Sequence, residues 1–390
     1  MSHTSQSPTS LSRLRCDAMR GAAIVGVLWH NFLHVYPGII KENEETFSPD
    51  RAQAMLQVVT HPHADVLAQL GSYFAPFCLA IFLFISGYGL VCSYEGDNPK
   101  HQGESAFKFC LRHYLKLLKL LLPVLLLVAV LNQLGSPLAF RFTWRRFVLQ
   151  ALMVTNLMPN EATLFIHGPW WFMGMILQLY IIYRLIIYAP PTANGWRRYG
   201  IPIAITLACW ALMRFIDPAG HLQQWLHHNA VAHIATFAVG IVTARCVTDV
   251  RSGVTSKGRR AIITLLDTQQ PKPHGWAVVG WLAVAAGMAV VAVVASLRFA
   301  TWLWAPLFAL TCAIALVRLC PTRLLQPLAW LGKLSAAIYV IHPLLRKALL
   351  FRLGNMWLAL AVFMLTTLLA AIVYQWLIGK AEQALNRLKK

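Results

Sequence analysis

Apolar residues fall into ten long blocks, at 18–36, 71–94, 111–133, 169–189, 199–216, 229–248, 275–297, 300–319, 325–348 and 355–379. Each is long enough to carry an α-helix across a hydrocarbon core roughly 30 Å thick. An eleventh block, 146–158, is too short to cross and suits a re-entrant or interfacial segment. Charge sorts between the blocks. Basic residues gather at Arg13, Arg15 and Arg20, at 95–119 (Lys108, Arg112, Lys116, Lys119), at 245–274 (Arg245, Arg251, Lys257, Arg259, Arg260, Lys272), at 318–333 (Arg318, Arg323, Lys333) and in the tail (Lys380, Arg387, Lys389, Lys390). If 146–158 does not cross, all of these fall on one side with Arg197 and Arg198. The acidic loop at 37–70 (Glu42, Glu44, Glu45, Asp50, Asp65) then falls on the other. If it does cross, the bias breaks.

The positive-inside rule therefore predicts an all-α polytopic membrane protein with about ten transmembrane helices and both termini cytoplasmic, in the inner (cytoplasmic) membrane. Arg141, Arg145 and Arg146, then Arg346, Lys347 and Arg352, land outside; they are scatter, or they face an acidic acceptor. Residues 1–12 are Ser/Thr-rich and read as a disordered tail, 13–380 as a single transmembrane domain, and 381–390 as a basic cytoplasmic tail. The first block carries no small-residue cleavage site and reads as a retained helix. No internal repeat of the kind many transporters carry is visible.

Composition agrees. The chain is 58% hydrophobic and 12% charged, with mean hydropathy +0.57, against about 25% charged for a soluble domain. A net charge of +20 would suggest nucleic acid in a soluble chain. Here the basic residues lie between apolar blocks, so that class is set aside. The eight cysteines form no CxxC pair, and five of them (Cys78, Cys92, Cys110, Cys209, Cys312) lie in or beside apolar runs. No disulfide framework or zinc site is legible, and no metal is expected.

An ionisable side chain inside an apolar block is costly and points to function. His30 follows Arg20 by ten residues, about 15 Å of helix rise, which places it near the middle of the bilayer. A neutral imidazole there is suited to take a proton from an incoming hydroxyl; the same ring is equally suited to bond a carbonyl of a neighbouring helix. Arg20 meets an anionic group or anchors the helix at the cytoplasmic face. Ser86, Gly87, Tyr88 and Gly89 interrupt the second block and read as a packing notch, with Ser86 a nucleophile only if a base adjoins it. Arg112, Lys116 and Lys119 share one helix face ending near Pro123, which suits either ligand phosphates or lipid headgroups. His167-Gly-Pro169-Trp-Trp171 opens another helix at the extracytoplasmic mouth. Ser335, Tyr339 and His342 form a polar stripe, which in a membrane faces protein or a water-filled cavity. His233 reads as structural.

Together these pieces resemble the acyltransferase 3 family of integral membrane acyltransferases. Asp17-Ala-Met-Arg20-Gly21 followed by His30 is similar to the family's opening motif. Phe82-Leu-Phe-Ile-Ser86-Gly87-Tyr88 resembles its FFxxSGY/F signature. The basic stretch from Arg112 to Pro123, Trp171-Phe172 to Tyr180, and Gly332 to His342 complete the order. Nine residues separate Arg20 from His30 where the family commonly has ten, with Asn31 at the usual place. Ile176 stands where many O-acyltransferases have Glu, and Gln178 is the nearest polar residue.

The resemblance implies acyl-CoA, usually acetyl-CoA, as a cytoplasmic co-substrate with no permanently bound cofactor. It implies a hydroxyl of a glycan, lipid-linked sugar or other envelope molecule as acceptor. It also implies His30 as general base. Arg20, Arg112 and Lys116 would hold the CoA phosphates. Asp17, Ser86, Tyr88, His167, Trp171, Ser335, Tyr339 and His342 would supply substrate contacts or support. A transporter or flippase of a polar envelope precursor would use similar features, and a sensor or scaffold would show neither turnover nor transport.

Overall fold

The structure is a computed structural model and describes residues 11–96, 103–136, 138, 141–158, 165–251, 275–349 and 353–388. The predicted tail 1–12 lies almost wholly outside the described residues, as do Lys257, Arg259, Arg260, Lys272 and Arg352 of the charge survey. Among the described residues there is no strand. The helices are α1 (Arg13–Leu33), α2 (Pro49–Thr60), α3 (Val66–Phe74), α4 (Cys78–Tyr94), α5 (Ala106–Gln133), α6 (Trp144–Ala151), α7 (Trp171–Ile182), α8 (Ile201–Arg214), α9 (His221–His227), α10 (Ala230–Arg251), α11 (Trp276–Ser296), α12 (Ala305–Leu319), α13 (Thr322–Leu349) and α14 (Met356–Leu388).

Each of the ten apolar blocks overlaps one or more of these helices. Among the described residues, seven helical stretches are long and apolar enough to cross a membrane, among them α5, α11, α13 and α14. The protein is therefore an all-α polytopic membrane protein. The block at 146–158 is the eight-residue α6 and a single turn at Thr155–Leu157, below spanning length. The last helix continues to Leu388, through most of the predicted tail. Helix starts follow local chemistry: the Ser12, Ser48, Ser105 and Thr143 hydroxyls each accept from a backbone N–H of the first turn.

Two close helix pairs organise the core. In the first, α1 lies along α13 at backbone distance. A Cβ on Gly21 would sit 1.8 Å from the Leu328 carbonyl oxygen, and one on Gly332 would sit 1.8 Å from that of Asp17. In the second, α4 lies on α10, where a Cβ on Gly87 would meet the Phe237 carbonyl and one on Gly240 that of Phe84. Between the pairs, α7 brings Trp170 and Trp171 inward, and the Trp170 indole donates to the Val340 carbonyl at 3.0 Å.

Arg245, read as part of a basic loop, lies within α10 and is fully buried. Its guanidinium donates two 2.7 Å hydrogen bonds to the equally buried Glu95. It also donates to the Ile187 carbonyl, while Tyr183 donates to Glu95 at 2.9 Å. Arg198 is likewise buried and paired with Asp249 at 2.7 Å. A charge within an apolar environment must be paired, and here bidentate geometry does it.

Candidate active site

Two adjoining cavities lie between α1, α4, α7 and α13. The upper one, of about 150 Å³, is lined by His30, Asn31, His34, Glu42, Glu44, Glu45, Trp171 and Arg346. The lower one, of about 160 Å³, holds Arg20, Ser86, Tyr180 and Ser335 among apolar walls from Phe82, Leu117, Phe172, Met173 and Ile176. Val27, Leu79 and Tyr339 belong to both linings.

His30 lies in the last turn of α1, about 25 Å of helix rise from Arg13. It is therefore nearer the far end of the helix than its middle, because α1 begins well before Arg20. On one side of the buried ring, Nδ1 is 2.8 Å from the Ser72 carbonyl oxygen. A carbonyl can only accept, so Nδ1 carries the hydrogen. In the neutral ring Nε2 then holds the lone pair, and it faces the upper cavity 3.5 Å from Glu44 Oε2 and 3.9 Å from Glu42 Oε1. The carbonyl contact that the sequence allowed for this ring is therefore made by Nδ1, to the Ser72 carbonyl. The His34 ring stacks on it at 4.6 Å between centroids.

The carboxylates arrive from the acidic loop, which folds back over the end of α1. Gln69 pins that loop through the Gly38 carbonyl and the Ile40 amide. Asn43 binds the Tyr73 hydroxyl at 3.0 Å, and Arg51 donates to the Glu42 and Thr46 carbonyls. Glu45 is held by His228 at 2.8 Å and by Gln224 at 2.9 Å. Burial works to raise the Glu45 carboxyl, but these hydrogen bonds and the neighbouring imidazole outweigh it and hold it at about 2. Donor atoms of His30, Glu42 and Glu44 lie within 4.8 Å of one another, a set able to hold a cation.

The expected site residues divide among several places. Arg20, Ser86, Ser335 and Tyr339 line the lower cavity, and Asp17 accepts from Arg20 at 3.2 Å just below it. Trp171 and His30 line the upper one. Lys116 is exposed on α5 and feels the charge of Arg20. Arg112 bonds Glu104 and the Tyr94 hydroxyl instead of lining either cavity. Tyr88 is buried beside Phe84, and His167 is buried against Trp170. His342 is fully buried with Nδ1 on the Tyr339 carbonyl, so only two members of the predicted polar stripe reach the cavities. His233 bonds the His227 carbonyl at 2.8 Å.

Sequence reasoning missed Glu42, Glu44 and Asn31, and left Arg346 as an outlier. Arg346 Nη1 donates to the Asn31 carbonyl at 2.8 Å and places its charge in the upper cavity. The signal for Arg346 was its position: a cation breaking the charge bias, one turn beyond the Ser335 to His342 stripe.

A family model described as an acyltransferase domain matches residues 14–376. No curated protein and no solved structure matches the chain.

Proposed function

Since that match covers nearly the whole chain, the protein belongs to the acyltransferase 3 family and is a membrane acyltransferase; on this premise we propose that it moves an acyl group, acetyl foremost, from acyl-CoA to a hydroxyl of an envelope glycan or lipid-linked sugar. The observation that supports this most is the pair of adjoining cavities, with Arg20 in one and His30 in the other. The donor enters at the cytoplasmic end. Arg20 and the nearby Lys116 meet the CoA phosphates, and Arg112 adds charge at the same mouth although Glu104 takes part of it. The acyl-pantetheine arm lies along the apolar lower cavity. The acceptor occupies the upper cavity, against Trp171 and within reach of Arg346.

His30 Nε2 takes the acceptor's hydroxyl proton as its oxygen attacks the thioester carbonyl. The C–O bond forms, the C–S bond breaks, and the sulfur leaves as thiolate. The proton then passes from His30 to the thiolate, so ester and free CoA thiol are the products. Glu42 and Glu44 offset the positive charge that the ring carries in between, and the Ser72 carbonyl holds its orientation.

General-base assistance of this type contributes about 10²–10⁴-fold. His30→Ala in purified detergent-solubilised protein is therefore expected to lose at least about 100-fold in acyl-CoA consumption, with membrane insertion intact. Full turnover in that variant would refute the assignment. Detergent also separates the classes: a transporter needs two compartments and leaves the thioester whole, whereas this enzyme cleaves it without a gradient. Mass spectrometry of envelope glycans with and without the protein identifies the acceptor.

A further inference from the structure

The two cavities share part of their lining. The side chains common to both are Val27 of α1, Leu79 of α4 and Tyr339 of α13. They are two branched aliphatic groups and one aromatic, contributed by three different helices. Val27 is buried, one helical turn before His30 and about 10 Å of helix rise beyond Arg20. Tyr339 is fixed across the junction, because its hydroxyl donates to the Pro169 carbonyl and its ring lies 5.3 Å from that of Phe172. Leu79 is half-buried near the start of α4 and has no polar anchor. The walls change character at these three side chains. Below them they are mainly apolar, and above them stand His30, Glu42, Glu44 and Arg346.

We infer that Val27, Leu79 and Tyr339 are a constriction that selects the transferred acyl group by its bulk. This rests on the acyl-CoA reading above and names the residues that set its specificity. A donor arm entering from the Arg20 side leads with its acyl end, so the acyl group must pass or occupy the constriction before its carbonyl comes level with His30. An acetyl group adds one methyl beyond the carbonyl. A branched group such as isobutyryl must fit two methyls among the same three side chains. A tight apolar pocket distinguishes one methylene by about 10–200-fold, and the α1–α13 backbone contact at Gly21 and Gly332 prevents this wall from yielding by helix separation.

The test uses the full-length protein in two arms. In detergent, kcat/KM is measured for acetyl-, propionyl- and isobutyryl-CoA. The wild type is expected to prefer them in that order, and Leu79→Ala is expected to raise the isobutyryl-to-acetyl ratio by about tenfold or more. An unchanged ratio, with acetyl transfer retained, overturns the inference. The second arm needs no turnover. Asn31→Cys places a thiol in the upper cavity, and a methanethiosulfonate reagent is added on the Arg20 side of sealed vesicles. Modification of residue 31, read by peptide mass spectrometry, should be slow with Leu79 present and at least about tenfold faster with Leu79→Ala. Equal rates overturn the constriction. A rate difference with no acyl-CoA consumed by any variant would overturn the donor reading and, with it, acyl selection, while the physical barrier would stand.

Discussion

His30 is useful because of what its other nitrogen does. With Nδ1 committed to Ser72, Nε2 has one direction to point, and that direction is into the upper cavity. Two carboxylates wait there. At 3.5 Å and an effective dielectric near 20, the attraction between imidazolium and Glu44 is about 5 kcal/mol before solvation losses. Retaining a third of it is worth more than about tenfold in rate. Glu44→Gln should therefore lower kcat about tenfold or more while leaving KM for acyl-CoA nearly unchanged, since the carboxylate stands on the acceptor side; steady-state kinetics decide it. Arg20→Ala should do the reverse and chiefly raise KM for acyl-CoA, and an unaltered KM would make Arg20 an anchor.

Glu45 belongs to stability instead. Its folded value near 2 lies below the ordinary 4.5, so its contribution is complete above pH 4.5 and is lost as pH falls toward 2. Thermal melts across that window should decline less steeply in Glu45→Gln. Arg20 and His30 were legible because an ionisable group stands out in an apolar block. Glu42 and Glu44 were not, because an acidic loop does not declare in sequence which helix end it covers.

At the scale of elements, the glycines matter most where backbones touch. Gly87 and Gly89 belong to one notch in the sequence, and the structure separates them. A methyl on Gly87 runs into the Phe237 carbonyl of α10, whereas one on Gly89 meets nothing within 4 Å. Gly87→Ala should destabilise by roughly 1–3 kcal/mol through forced helix separation. Gly89→Ala should be neutral or stabilising by up to about 1 kcal/mol through helix propensity. Melting temperatures of the two variants in the same detergent test the distinction, and equal losses would contradict it. The reading of a packing notch was available from residue type. Which glycine meets the neighbour depends on the rotation of α4 about its axis, and a run this uniformly apolar offers no polar face to fix that rotation.

For the whole molecule, length and hydropathy sufficed for the class, because lipid leaves a spanning chain few alternatives to helices. They did not reveal how the helices are fastened. Glu95 and Arg245 are 150 positions apart, both fully buried and paired two-to-two. Counting basic residues by loop assigned Arg245 to the basic segment 245–274, since an arginine at the end of an apolar block looks the same whether it ends the helix or ties it inward. Glu95→Ala leaves that guanidinium uncompensated and should cost about 3–5 kcal/mol, visible as a lost melting transition or poor recovery from membranes. Acyl-CoA turnover per folded molecule should survive, because the pair lines neither cavity.

In the proposed reaction the narrowing at Val27, Leu79 and Tyr339 also decides what the cell gives up. A nucleotide carrier is far too large to follow its cargo past three packed side chains. In the proposed reaction only the activated fragment is exported, and the spent carrier is released where metabolism can reload it. A surface lacking any energy source of its own can then be decorated continuously, at no loss of coenzyme to the outside.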